Sequence, residues 1–384
     1  MASTSQVFNI PPPDTKNSVE QTADHLKNRR KLILIVTAFF LVIAAVTSLF
    51  PLLISNQAGS VSVSDRTKQP IPTPMPFFEM TIPGLRAREY ESSLGERALV
   101  SENSLYTSYL TSFDSDGLKV NGLLTIPVGD PSPQQNVGTQ DDSRKYPAII
   151  FIHGYISPTL YQTTSQYADY VDYLARNGFV VFKIDLRGHG ASEGEAGGSY
   201  YGSDYIVDAL NARAALQDSG FVKPGAIGIW GHSMSGNIVM RSFAAMPDIP
   251  AIAIWAGAVY TYQDMQKYGI DDNSYRPPST SNVGRRRRTE LFEKYGSPSA
   301  QSVFWQQVAP TNYLGDLRGA IEIHHAVDDP VVNIGYSRDL MALLDATNVP
   351  HQLFEYPSGG HNITGASFTL AMQRTVDFFR KYLK

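Results

Sequence analysis

Ala226-Ile227-Gly228-Ile229-Trp230-Gly231-His232-Ser233-Met234-Ser235-Gly236 is the stretch that decides the fold. Five residues of strand composition run straight into Gly231-His232-Ser233, and from Gly236 to Met246 the apolar spacing becomes helical. A serine at such a bend needs small neighbours, so that its hydroxyl projects without clashes. Gly231 is one of them, whereas Ser235 stands where a second glycine is usual. With Gly and Ser each near 7% of residues, a G-x-S-x-small match arises by chance roughly 0.4 times in a chain of this length, so spacing alone is weak. Its position between a strand and a helix makes Ser233 a candidate nucleophile.

The same alternation extends in both directions. Strand-length runs at 148–152, 179–185, 252–255, 320–324 and 352–356 are separated by helical patterns at 166–177, 205–217 and 236–246, and a last helix covers about 367–382. Strands alternating with helices predict an α/β fold with a mostly parallel, doubly wound sheet. Segments 105–113 and 117–126, joined at Asp114-Ser115-Asp116-Gly117, predict an antiparallel hairpin in front of it. About 60 polar, Pro- and Arg-containing residues part the strands at 252–255 and 320–324, and a structureless loop of that length is improbable in a compact domain. They predict a small cap at about 260–310, whose aromatics Tyr260, Tyr262, Tyr268, Phe292 and Trp305 suit either a modest hydrophobic ligand or the cap's own core.

An alcohol is a poor nucleophile at neutral pH, so a serine needs a base within reach and a third group to orient that base. When the serine sits on such an elbow the acid and then the histidine follow it in the chain. Four histidines follow: His324 and His325 close a strand, His351 begins one, and His361 lies in the loop Ser358-Gly359-Gly360-His361-Asn362 between the last strand and the last helix. His361 is therefore the candidate base. An ordinary histidine in that role predicts activity rising through about pH 6–7. The acid is Asp328 or Asp329, both just after the strand that ends at His324. For the oxyanion, the expected donors are the backbone N–H groups of Met234 and of Tyr155 in His153-Gly154-Tyr155. His153 and His232 flank the site as packing residues.

Taken in order, Phe151-Ile152-His153-Gly154-Tyr155, Asp185 to Gly194, Gly231-His232-Ser233-Met234, His325 to Val332 and Gly360-His361 resemble the catalytic domain of the prolyl-oligopeptidase-like (S9-type) α/β-hydrolases, over about residues 104–384. The resemblance implies the α/β-hydrolase fold and hydrolysis of peptide or acyl-ester bonds through an acyl-enzyme. It also prefers Asp329 to Asp328, because the family's acid directly precedes the Pro-Val-Val step. Two departures, Ser235 for Gly and Ala326 for Gly, keep small side chains. The family's large peptidases carry a β-propeller, for which the stretch ahead of the hairpin leaves no room, so the expected substrate is a small peptide or ester. A non-catalytic binding module on the same fold would be expected to show a broken triad.

Composition narrows the chemistry further. The chain has no cysteine, eight histidines and a formal net charge of −4. Thiolate nucleophiles and zinc–thiolate sites are excluded, no H-x-x-x-H or G-x-G-x-x-G spacing occurs, and no metal, no cofactor and no nucleic acid are expected. Arg285 to Arg288 reads as a solvated loop.

Ahead of the hairpin, Leu32 to Ile54 is uncharged, long enough at 1.5 Å per residue to cross a hydrocarbon core of about 30 Å. Residues 32–54 are thus expected to be a transmembrane helix in the lipid bilayer. Lys27, Arg29, Arg30 and Lys31 crowd one flank while 55–64 is neutral, which predicts a cytoplasmic tail at 1–31 and an extracytoplasmic catalytic domain on the cell membrane. Residues 55–103, with Pro70, Pro72, Pro74 and Pro76, suit a stalk and extension.

Overall fold

A computed structural model of the chain describes residues 75–129, 145–197, 200–269 and 282–384. The tail, the apolar run 32–54 and residues 55–74 of the stalk lie outside the described residues. Among those described, no helix is long and apolar enough to cross a membrane.

Nine strands form one sheet: β1 (Ala98–Glu102), β2 (Tyr106–Ser115), β3 (Leu118–Pro127), β4 (Tyr146–Ile152), β5 (Val180–Ile184), β6 (Val222–His232), β7 (Ala251–Trp255), β8 (Ala320–Ala326) and β9 (His351–Tyr356). Their spatial order is β1-β2-β3-β5-β4-β6-β7-β8-β9. The first three strands pair antiparallel with one another and β3 pairs antiparallel with β5; from β5 to β9 all pairing is parallel. The expected hairpin is β2–β3. Ahead of it the exposed edge strand β1 is an element the sequence reading leaves out.

Strand periodicity explains the two cores. Ile150, Ile152, Ile229, Ile252 and Ile254 pack on one face, and their neighbours Ile149, Phe151, Trp230, Ala253 and Trp255 on the other. Both faces are covered, which is why the parallel strands are continuously apolar. Helices α3 (Asp204–Asp218), α4 (Ser235–Ala245) and α8 (Gly335–Leu344) cover the first face; α2 (Ala168–Arg176) and α9 (Ala366–Tyr382) cover the second. Helix α8 is absent from the sequence reading, yet adjacent parallel strands such as β8 and β9 require a crossover. A five-residue helix, α1 (Ile82–Arg86), precedes the sheet.

Between β7 and β8 lie α5 (Tyr262–Tyr268), α6 (Asn282–Tyr295), α7 (Val303–Val308) and a 3-10 helix, Pro310–Asp316. The expected cap is therefore helical. Its aromatics form its own core: Tyr260, Tyr262 and Trp305 are buried, and Tyr201, Tyr262, Phe292 and Trp305 pack ring against ring. The arginine run is helical where the sequence predicts a loop, while Arg285, Arg286 and Arg288 are exposed, as a solvated run should be. The run sits in α6, where Arg287 reaches Asp204 at 2.5 Å and Arg288 lies 5.1 Å over the rings of Tyr201 and Phe292. Those partners come from elsewhere in the fold, so a local charge count could not reveal them.

The chain passes from β4 to β5 on one side and then returns past β4 to β6 on the other. Strand order reverses between β4 and β6, and the crevice beyond their carboxyl ends is where open parallel sheets place ligands.

Candidate active site

Ser233 follows the last residue of β6 with φ of +56°, in the left-handed region. A non-glycine residue is rarely found there, and strain of this kind collects at functional sites. The bend is held from three sides. Ser233 N–H donates to Trp255 O at 2.9 Å, and the Ser233 carbonyl accepts from Gly236 N–H at 2.9 Å and Ala258 N–H at 3.2 Å. A side chain on Gly236 would put a carbon 2.7 Å from Gly257 Cα, so the close approach of α4 to the loop after β7 requires glycine there. Ser235, by contrast, accommodates a side chain: it is fully buried and donates to the carbonyl of His153. The departure from the usual glycine thus adds a tie between the elbow and the loop after β4.

That loop lies beside the elbow because Ile152 on β4 is in register with Gly231 on β6. A Cβ on Gly154 would be 3.2 Å from Ser233 Cβ, which brings Tyr155, the next residue, to the serine's side. Met234 opens α4, where the first N–H groups of a helix have no partner inside it. These are the two backbone positions expected to serve an oxyanion. The loop is braced from below by Asp185, which accepts from Tyr161 at 2.9 Å and Thr163 at 2.6 Å; burial raises its carboxyl to about 6.

The acid and base meet across 32 residues. His361 Nδ1 lies 2.8 Å from Asp329 Oδ2. Asp329 has no solvent-exposed side-chain surface. Its Oδ1 accepts from Val331 N–H at 2.8 Å and Val332 N–H at 3.0 Å, and His325 Nε2 is 3.2 Å from Oδ2. Burial by itself would raise this carboxyl, but the hydrogen bonds from His325 and His361 outweigh it and hold Asp329 below the usual carboxylate range. Asp328 does something else. Its carboxylate accepts from Gly360 N–H at 2.8 Å and Gly359 N–H at 3.3 Å, pinning the loop that presents His361. Adjacent carboxylates therefore divide the work, one on the imidazole and one on its backbone.

The ring of His361 lies 4.6 Å from that of His232, whose Nε2 is 2.9 Å from the His361 carbonyl. The residue preceding the candidate nucleophile is thus in contact with the candidate base. Burial pushes His232 and His153 down to about 3, so both are neutral at ordinary pH. Missed from sequence are the contact of His325 with Asp329, the bonds of Tyr161 and Thr163 to Asp185, and Tyr167, whose hydroxyl is 2.7 Å from His232 Nδ1. Nothing in the local sequence marks any of these contacts.

Among the described residues no group of three or more His, Asp or Glu side chains is placed to hold a metal ion. A cavity of about 380 Å³ lies at the cap between α5, α7 and the 3-10 helix, lined by Tyr262, Gln263, Trp305, Gln307 and Asn312 among others; Ser233 and His361 do not line it.

Residues 144–279 match the family described as serine aminopeptidase, S33, a span that includes the loop after β4 and the elbow and ends before Asp329. Solved structures share the fold over most of the described chain. A dipeptidyl peptidase 4 from Porphyromonas gingivalis is 19% identical with a TM-score of 0.53, over 72% of this chain and 36% of its own. A puromycin-hydrolyzing peptidase from Mycobacterium tuberculosis is 17% identical with a TM-score of 0.55, over 73% and 40%. Acetyl xylan esterase 1 from Thermoanaerobacterium sp. is 18% identical with a TM-score of 0.53, over 80% and 95%. The chain thus spans about a third of the length of that dipeptidyl peptidase and nearly all of the esterase. Elbow and sheet order agree with these neighbours on the α/β-hydrolase fold, and residues 144–279 carry the match to a hydrolase family.

Proposed function

We propose that the chain cleaves acyl-ester or short peptide bonds through an acyl-enzyme on Ser233, with His361 as general base and Asp329 as the carboxylate that orients it. The observation that carries this is the 2.8 Å contact of His361 Nδ1 with buried Asp329. It fixes the tautomer that leaves Nε2 free to accept a proton. Ser233 Oγ attacks the carbonyl carbon as its proton passes to His361 Nε2, and the developing oxyanion is met by the N–H groups of Tyr155 and Met234. His361 then gives that proton to the leaving alcohol or amine as the C–O or C–N bond breaks. Water repeats the sequence on the acyl-enzyme. Asp329 stays ionised and stabilises the imidazolium, in line with its lowered pKa.

Both substrate classes have support, since the matched family is an aminopeptidase and the fold neighbours include peptidases and acetyl xylan esterases. The apolar, uncharged run at 32–54 with its basic flank supports a membrane anchor that carries the catalytic domain outside the cell. The test is covalent labelling of the full chain by a fluorophosphonate. Labelling lost in Ser233→Ala is expected, and a folded wild type that stays unlabelled would overturn the reading. p-Nitrophenyl esters of several chain lengths, set beside aminoacyl and dipeptidyl anilides, decide between the two bond types. Resistance of the chain to carbonate extraction from membranes, with protease reaching the catalytic domain only from outside, tests the anchor.

A further inference from the structure

Three hydrogen bonds outside the triad form a continuous line past the nucleophile. Gly154 N–H donates to the Tyr167 hydroxyl at 2.9 Å, that hydroxyl is 2.7 Å from His232 Nδ1, and His232 Nε2 is 2.9 Å from the carbonyl of His361. The two ends, with a neutral His232 between them, fix the direction of every bond. Gly154 N can only donate and the His361 carbonyl can only accept, so His232 Nε2 carries the proton, Nδ1 accepts, and Tyr167 donates to it. A neutral imidazole satisfies all three.

We propose that Tyr167 and His232 are positioning residues whose uncharged hydrogen-bond chain sets the spacing between the oxyanion loop at Gly154 and the backbone of His361, with Ser233 between them. The proposal rests on the serine-hydrolase reading of Ser233 and His361 given above.

Three further observations support it. A side chain on Gly154 would place a carbon 2.8 Å from the Tyr167 hydroxyl and 2.9 Å from His232 Nδ1, so the loop is packed directly on the chain and leaves no slack. Tyr167 takes φ of +60°, a conformation unfavourable for a bulky residue, to present its hydroxyl from the start of α2. The rings are also walled in: Tyr167 packs edge-on to Phe151 at 5.4 Å and to Trp230 at 6.1 Å, and Trp230 lies nearly parallel to His232 at 17°. A chain fixed at both ends and clamped along its length transmits position rather than charge. Burial, which holds His232 neutral, keeps the bond directions constant over the working pH range.

Catalytic geometry is sensitive to this, because a shift of about 1 Å in a reacting group is enough to lower turnover about a hundredfold. The test uses the full chain, with sites counted by fluorophosphonate titration and turnover measured on the best ester or anilide. Tyr167→Phe keeps the ring and removes only the hydroxyl, leaving Gly154 N–H and His232 Nδ1 unpaired. The expected result is a fall in kcat per titrated site of roughly tenfold to a hundredfold, the range typical when a supporting hydrogen bond is lost, with a KM changed by less than about twofold. His232→Gln, which can still donate to His361, is expected to retain more turnover than His232→Ala. The double variant Tyr167→Phe/His232→Gln should be no worse than the poorer single variant, as befits one chain broken twice.

Wild-type turnover per site in Tyr167→Phe would overturn the proposal, and so would effects of the two substitutions that multiply. A loss confined to the number of titratable sites would also count against it, since that marks a merely structural role. A wild type that does not titrate sinks the nucleophile reading along with the chain, whereas a wild type that titrates beside an unaltered Tyr167→Phe refutes the chain alone.

Discussion

The proposed nucleophile and its proposed partners are held by different physics. At the elbow the restraints are packing and backbone hydrogen bonds, none of them carrying a charge: Ser233 sits at φ of +56°, its N–H and carbonyl are bonded to backbone, and Gly236 touches Gly257 so closely that no side chain fits. On the acid–base side the restraints are polar: Asp329 is held by two backbone N–H groups and faced by two imidazoles, and Asp328 holds the backbone at Gly359 and Gly360. Packing is indifferent to pH and fails when volume is added. Hydrogen-bonded carboxylates tolerate changes of volume better, and fail when a charge or a proton is lost. The base is thus adjustable in a way the nucleophile is not.

Asp329→Asn should break the polar side with the largest effect. The amide preserves size but can hold the wrong imidazole tautomer, and a loss of about 10⁴ in kcat is expected. Because the elbow does not depend on this charge, fluorophosphonate labelling should slow without loss of the fold, while the melting temperature at pH 7 falls as the stability carried by the ionised carboxylate is lost. Collapse of the fold instead would mean that the two regions are not independent. Gly236→Ala attacks the other side. The added methyl meets Gly257 Cα at 2.7 Å and Ala258 N at 3.0 Å, both backbone atoms that cannot rotate away. A destabilisation of about 1–3 kcal/mol by denaturant titration is expected, the usual range for overpacking. Turnover should fall about a hundredfold as Ser233 shifts, equally at pH 6 and pH 9.

Asp328→Asn is a gentler probe of the polar side. It weakens the two bonds that pin the loop of His361 without touching the imidazole. A fall in kcat of roughly tenfold is expected, within the range for supporting residues, and it should be smaller than the effect of Asp329→Asn by orders of magnitude. Equal effects would mean that the resemblance-based preference for Asp329 has the assignment wrong.

The same contrast explains what could be read from sequence. Ser233 and the strand before it are legible because the elbow is local: strand, bend and helix are consecutive, and their residue types carry the steric argument. Strand and helix spans come close to those observed for the same reason, with α1, β1 and α8 missed. Asp328 and Asp329 could not be separated by the residues themselves, only by resemblance, since both stand at one strand end and differ in which way the turn aims them. Tyr167 lies 65 residues from His232, and Asp329 lies 32 from His361, so only the sheet order brings either pair together. Ser235 looked like a blemish in the motif because its partner, the His153 carbonyl, lies 82 residues away. The cap aromatics read equally well as ligand wall or core, and the structure gives Tyr262 and Trp305 both parts: they pack ring against ring and also line the cap cavity.

The smallest expected effect is in acid stability, and it separates the two kinds of charge around the site. His153 and His232 are both lowered to about 3, mainly by burial; His189 and Lys183 stand near the first, and His361, Asp329 and His325 near the second. An unfolded chain takes up these protons below about pH 6.5 while the folded one cannot, so stability falls as the pH drops from there toward 3. Asp329 acts in a lower window. Its depressed pKa contributes stability that is complete above the unfolded carboxylate value of about 4 and is lost only as the pH falls below it. Between pH 6 and 4.5, then, each buried neutral histidine should steepen the loss of stability by up to about 1.4 kcal/mol per pH unit, the value of one proton. His232→Gln should flatten that slope by one such increment and Asp329→Asn should leave it unchanged, as read from denaturant midpoints across the interval. An unchanged slope in His232→Gln would mean that His232 takes up a proton in the folded state, and the bond between Tyr167 and His232 Nδ1 would then reverse, the ring donating to the hydroxyl.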